Sequence, residues 1–525
     1  MAVGGTFRPM PRWFNTAGPC NPVDNYMLPA LRRLPEVQRL IDQKGYFVVH
    51  APRQVGKTTA LLSLARELTA AGRHVAALVS METGAAFPED IGAAESAVLA
   101  SWRNTLPGQL PDELQLPPIP DAPPGGRIGS ALTAWAASVP LPLVVFLDEI
   151  DSLRNGVLVS VLRQLRSGYP SRPERFPSSL ALIGLRDVRD YKVASDGRDH
   201  LGTASPFNIK VRSLSLRNFT ADEVAELYSQ HTTDTGQRFE PEALALAFEL
   251  TQGQPWLVNA LAKVAVEELV PDTAQPVRRT HIERAKALLI ERQETHLDSL
   301  TERLREPRIR AVLEPMLAGE LLGDVPEDDR RFAVDLGLLR RNAQGTLEVA
   351  NPIYREIIVR ALASGTRDTL PGIQPSWLRS DGRIDMERLR DAFLAFWRQH
   401  GEPLLATAPY HEVAPHLVLM AFLHRVVNGG GIIEREYAIG RGRMDLFVRH
   451  GQDTLAIEIK VWRDREPDPL AEGLVQLDGY LQGLGQPSGW LVLFDRRSGQ
   501  PPIAERTRAE QAQTPSGRPV TVIRA

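Results

Sequence analysis

The chain has 525 residues, 43% of them hydrophobic and 24% charged, with 61 Lys and Arg against 64 Asp and Glu for a formal net charge of −3. The length implies three or more domains, each able to bury its own core, and the charge balance excludes a global polycation, so any nucleic-acid contact must rest on local patches. One cysteine, Cys20, excludes a disulfide framework and a cysteine-rich zinc site; with no membrane-length apolar run and no signal-type apolar core in Met1–Pro9, the expected setting is cytoplasmic, with no membrane partner.

Residues 1–44 read as an irregular N-terminal extension ending in a short helix around Val37–Ile41. From 45 to 215, apolar strands alternate with amphipathic helices. The strand candidates are Tyr46–His50, His74–Met81, Leu143–Leu147, Leu180–Gly184 and Asn208–Leu214. That alternation predicts an α/β fold, a parallel sheet with helices on both faces. The proline-rich stretch from Pro107 to Arg127 reads as a surface insertion.

The first strand runs into Ala51-Pro52-Arg53-Gln54-Val55-Gly56-Lys57-Thr58-Thr59, and Ala60, Leu61, Leu64, Ala65 and Leu68 give the next segment one apolar helical face. Strand, tight loop and helix are the parts a phosphate-binding loop needs, with backbone N–H groups turned toward the anion. Residues 51 and 53–59 are therefore candidate ATP contacts, with Lys57 reaching the β- and γ-phosphates and Thr58 binding magnesium. Ala51 stands where the usual pattern has its first glycine, which removes a left-handed backbone option. The strand Leu143–Leu147 ends in Asp148-Glu149. Asp148 is expected in the magnesium shell, and Glu149 as the catalytic carboxylate that polarises the attacking water.

Residues 216–305 read as a helical lid, opened by the capping-box pair Thr220 and Glu223. Residues 306–363, with helices and a hairpin of Leu338–Arg341 and Thr346–Ala350, suggest a winged helix. A linker and helix cover 364–404, and a last domain covers 405–525. In that domain, Arg443–Val448 and Thr454–Val461 read as strands. Glu458 and Lys460 share one strand face, near Asp445. Asp445 and Glu458 offer hard oxygen ligands suited to magnesium, with manganese as a second option, and Lys460 can orient or help activate the attacking water. These three are the expected catalytic set of a metal-dependent nuclease.

The phosphate loop, Leu147-Asp148-Glu149, Gly253-Gln254-Pro255-Trp256, Gly337-Leu338-Leu339 and Asn351–Arg355 resemble the AAA/STAND-like branch of P-loop ATPases. The resemblance implies that Gly253 and Pro255 approach the nucleotide from the lid, and that Arg186 stands where a phosphate sensor is found. Asp445, Glu458 and Lys460 resemble the PD-(D/E)xK nuclease superfamily over roughly residues 405–500. That likeness implies a restriction-endonuclease-like α/β domain, with Met444 in place of the motif's proline. It suggests a further acidic ligand at Glu412, Glu434 or Glu436 and a site-proximal Gln476. Arg441 and Arg443 offer contacts to a phosphate backbone. The whole architecture resembles bacterial proteins joining an AAA-like ATPase to a nuclease-type domain. The expectation is an ATP-controlled, metal-dependent nuclease acting on nucleic acid, DNA first, with homo-oligomer formation left open. The alternative is an ATP-dependent signalling or DNA-binding regulator whose nuclease fold is catalytically silent.

Overall fold

Buried strands need apolar side chains on both faces, and the N-terminal half supplies four such runs, with a fifth, more exposed strand at one edge. The computed structural model describes residues 12–185, 192–193, 199–200, 209, 211–292, 295–318, 325–342, 344–358, 377–407, 418–420, 422–423, 431–439 and 442–525. They belong to two units, Met1–Asp298 with Arg331–Tyr354, and Ser299–Arg330 with Arg355–Ala525. The segment 306–363 thus lies partly in each.

The first unit contains α1 (Val37–Asp42), β1 (Tyr46–His50), α2 (Lys57–Ala70), β2 (Val75–Ser80), α3 (Ile91–Thr105), α4 (Arg127–Ser138), β3 (Leu143–Asp148), α5 (Asn155–Gly168), β4 (Ser179–Gly184) and β5 (Arg212–Ser215). The strands form one parallel sheet in the order β2-β3-β4-β1-β5. Alternate residues feed two cores. Val48, Val145 and Leu182 join Trp102, Trp135 and Leu162 from α3, α4 and α5. Val49, Phe146 and Ile183 join Ile41, Leu61 and Leu64 from α1 and α2. Helices therefore cover both faces, as parallel sheets require. The proline-rich insertion is tied to the sheet: Gln109 accepts from the Leu78 N–H at 3.0 Å and donates to the Leu78 carbonyl at 2.7 Å.

Helices α6 (Ala221–Thr235), α7 (Pro241–Thr251), α8 (Pro255–Lys263) and α9 (Arg279–Arg292) follow. Thr220 and Glu223 close the expected capping box on α6, worth about 1 kcal/mol. The hairpin β6 (Leu339–Arg341) and β7 (Leu347–Val349) belongs to this unit. Residues 12–34 are held at several points rather than trailing. Arg12 pairs with Asp234 at 2.9 Å, Trp256 Nε1 donates to the Thr16 carbonyl at 2.8 Å, and the Cys20 N–H donates to Thr59 Oγ1 at 3.1 Å.

His296 is buried, bonds the Tyr354 hydroxyl at 2.6 Å, and is pulled down to about 4 by burial from an ordinary 6.5. Between those values the unfolded chain binds the proton and the folded chain does not, so stability rises with pH across that window. Acidification from pH 7 to 4 is expected to cost about 3 kcal/mol through this group. Replacing His296 by Gln should flatten that limb of a stability–pH curve measured by denaturant unfolding; an unchanged limb would assign the acid sensitivity elsewhere.

The second unit contains α10 (Pro307–Ala318), α11 (Met386–Thr407), β8 (Gly431–Ile439), β9 (Gly442–His450), β10 (Asp453–Trp462), α12 (Leu470–Gly483), β11 (Gly489–Asp495), β12 (Arg508–Gln513) and β13 (Pro519–Arg524). Its sheet runs β8-β9-β10-β11-β13-β12, with β10, β11 and β13 parallel and the remaining neighbours antiparallel. Leu477 and Leu481 of α12 pack on Ala456, Leu491 and Leu493. A Cβ on Gly473 would lie 2.6 Å from Leu491 Cδ1, so glycine permits that close approach. On the other face Trp397 of α11 meets Phe494, with ring centroids 4.9 Å apart.

Candidate functional site

In the first unit the candidate residues converge at the carboxyl edge of the sheet, where open α/β sheets bind ligands. Ala51 follows β1 and is buried, its N–H donating to the Gly184 carbonyl at 3.3 Å. It does not adopt a positive φ. The left-handed turns fall instead on Gln54 (φ 57°) and Gly56 (φ 81°), so alanine at the first motif position costs nothing here. Gly56 is the N-cap of α2, and Arg53 is exposed.

Lys57 Nζ donates to the carbonyls of Ala51 and Pro52, both at 2.7 Å. Burial pulls it down to about 8, opposed by the charges of Asp151, Asp148 and Glu149. Thr58 Oγ1 donates to Asp148 Oδ2 at 2.7 Å, and Thr59 is the residue that accepts from Cys20. Asp148 is only 4% exposed, and burial is the first cause of its raised pKa. A buried carboxylate next to a hydroxyl fits a hard cation: Thr58 and Asp148 could hold magnesium through oxygen.

Glu149 turns out of β3 with φ 55° and accepts from Ser80 Oγ at 3.2 Å. Burial first, then the neighbouring carboxylates Glu82 and Asp148, push it up to about 7. Ser80 and Glu82 carry no motif of their own. The parallel register Ser80↔Asp148 is what brings them there. In the helical segment, Pro255 starts α8 and is buried, while Gly253 has φ 70°. A Cβ on Gly253 would lie 1.9 Å from the Phe219 carbonyl oxygen, so this glycine is required by a backbone contact. Arg186 lies outside the described residues.

In the second unit, β9 and β10 pair with Leu446 opposite Ile457 and His450 opposite Asp453. The pairing runs from His450 up to Leu446 and Ile457, so Asp445 and Glu458 are the next residues on their two strands, and Glu458 and Lys460, two apart on β10, share one strand face. Glu458 is 3% exposed, and Lys460 Nζ lies 3.4 Å from Glu458 Oε1 and 3.3 Å from Glu472 Oε1. Gln476 donates to that same Glu472 oxygen at 3.0 Å, which places it beside the lysine. Among the described residues, no group of three or more His, Cys, Asp or Glu is arranged to hold a metal ion. Glu458 is the described carboxylate of the expected set; Glu412 and Arg441 lie outside the described residues, and Asp445, Glu434, Glu436, Arg443 and Met444 are placed by backbone alone.

No protein-family model matches the sequence, and no curated protein matches it. Among solved structures, a Walker-type ATPase of Pyrococcus abyssi is similar at 13% identity, covering 66% of this chain and 99% of its own, with a TM-score of 0.47. The Aeropyrum pernix ORC1 protein in complex with DNA is 17% identical, covering 65% of this chain and 94% of its own at a TM-score of 0.34. The Thermotoga maritima RuvB Holliday junction branch migration motor is 15% identical, covering 62% and 92% at a TM-score of 0.34. No helix among the described residues is long and apolar enough to cross a membrane.

Proposed function

We propose that the N-terminal unit binds ATP with magnesium and hydrolyses it. The observation that carries this reading is the 2.7 Å bond between Thr58 and Asp148, residues 90 positions apart, directly beside Lys57 at a helix N-terminus. Residues 51 and 53–59 would cradle the phosphates, and Lys57 would leave its two loop carbonyls for phosphate oxygens. Thr58 and Asp148 would hold magnesium, which neutralises phosphate charge when bound. Glu149 would accept the proton of the attacking water, and Gly253 and Pro255 would close from the lid.

Glu149→Gln is expected to keep ATP affinity within about twofold and to slow turnover by roughly a hundredfold or more, because an amide cannot act as general base. Calorimetric binding and phosphate release measure the two quantities. If affinity falls as far as turnover, Glu149 is not the water-activating residue.

The finer reading is that the C-terminal unit is a PD-(D/E)xK-type domain cleaving phosphodiesters, DNA first, under control of the nucleotide state. What favours it is the buried Glu458 with Lys460 3.4 Å away on the same strand, one strand over from the segment that carries Asp445. Asp445 and Glu458 would take magnesium or manganese, and Lys460 would orient the water.

A further inference from the structure

Arg33 is 7% exposed, yet among the described residues its guanidinium bonds no carboxylate. Nη2 donates to the Val55 carbonyl at 2.8 Å, and Nη2 and Nε both donate to the Arg217 carbonyl, at 2.6 and 2.8 Å. The Phe219 ring lies beneath it at 4.8 Å. The nearby carboxylate of Glu223 is taken by the Arg217 side chain, in two bonds of 2.6 and 2.8 Å. Burying a cation is costly unless its hydrogen bonds are placed well, so a position with only backbone acceptors needs a reason.

The phosphate loop supplies one. A trans peptide is planar, and its C=O and the following N–H point in opposite directions. Holding the Val55 carbonyl from outside the loop therefore aims the Gly56 N–H the other way. The preceding peptide is held similarly: Gln254 Nε2, from the lid, donates to the Gln54 carbonyl at 3.3 Å, which sets the direction of the Val55 N–H. The N–H groups of Val55 and Gly56 donate to nothing among the described residues. Gln254 is itself fixed, since its Oε1 accepts from the Leu257 N–H at 2.6 Å and caps α8.

We propose that Arg33 and Gln254 are positioning residues that aim two successive loop amides, those of Gly56 and Val55, at the phosphates of a bound nucleotide. This rests on the nucleotide-binding reading above. The same guanidinium ties the loop to Arg217, where the chain leaves β5 for the lid, and Gln254 belongs to the lid itself. Loop shape and lid position are therefore set together.

The test uses the full chain, ADP as probe, and the variants Arg33→Lys and Gln254→Ser. Lysine keeps the charge but lacks the planar fork, and serine keeps a helix cap but is too short to reach the loop. The expected losses in ADP affinity are roughly tenfold for Arg33→Lys, or about 1.4 kcal/mol, and roughly threefold for Gln254→Ser. The protection that bound ADP confers on the Val55 and Gly56 amides should weaken in both variants, while β1 and α2 keep their protection in the nucleotide-free protein. ADP binding within about twofold of wild type in both variants overturns the proposal. So does faster exchange spread over β1 and α2, which marks a merely structural role. Should Arg33→Lys fail to fold, Gln254→Ser decides by the same criteria. A wild type that does not bind ADP overturns the nucleotide reading, and this proposal with it, whereas a binding wild type with unaltered variants overturns this proposal alone.

Discussion

Lys57→Ala is expected to weaken ATP and ADP binding by roughly a hundredfold and to end turnover, while the protein stays folded. The side chain contributes charge-assisted hydrogen bonds to phosphate, each worth about 1.5–3 kcal/mol, so losing one or two reaches that scale. The fold should survive because Lys57 bonds only the Ala51 and Pro52 carbonyls of its own loop, and its burial disfavours the charge, pulling it down to about 8. The apolar face of α2 is made by Ala60, Leu61, Leu64, Ala65 and Leu68, none of which the substitution touches. Nucleotide titration and a thermal melt of the nucleotide-free protein read the two halves of the expectation. Wild-type affinity in the variant would remove the phosphate-loop assignment, and collapse of the fold would show that Lys57 has a structural duty.

The second large effect is at the other end of the chain. Asp445→Ala, Glu458→Gln and Lys460→Ala should each reduce cleavage of DNA by roughly a hundredfold or more in magnesium or manganese, with ATP turnover unchanged. On the proposed nuclease reading, removing a carboxylate would lose a metal ligand, and removing the lysine loses the cation at 3.4 Å from Glu458. Lys57→Ala should also alter cleavage if nucleotide state controls it. Equal cutting by Asp445→Ala and wild type would dismiss the nuclease assignment. Normal metal-dependent cutting by Lys57→Ala across ATP concentrations would keep the nuclease and dismiss the control.

Four strands of the first sheet were legible because buried parallel strands are continuous apolar runs. Tyr46–His50 falls where the sequence places it, and the other strands shift by a few residues at their ends. The Thr58–Asp148 pairing was legible because each residue sits in a motif. The pairing of β9 with β10 follows from a short turn: His450 faces Asp453 across Gly451 and Gln452, and Gly451 has φ 60°. Such a turn fixes register, and register fixes face. Arg33 and Gln254 were not legible as loop supports. Their acceptors are backbone carbonyls 22 and 200 positions away, and a carbonyl has no residue identity to recognise. Ser80 and Glu82 were missed for a related reason, since what places them beside Glu149 is a strand pairing rather than local spacing.

The hold of Gln109 on Leu78 also has a meaning for encounters between copies of the chain. In the sheet order β2 is an outermost strand, and an outermost strand presents backbone groups on which another chain can pair. At Leu78 both groups are already engaged by one amide side chain, at 3.0 and 2.7 Å. A strand from a neighbouring molecule would have to displace that side chain before it could continue the ladder. With the Thr69 hydroxyl engaging both backbone groups of Ala76 in the same way, two side chains cover alternate positions of this edge, while Leu106 and Leu110 anchor the insertion in the core.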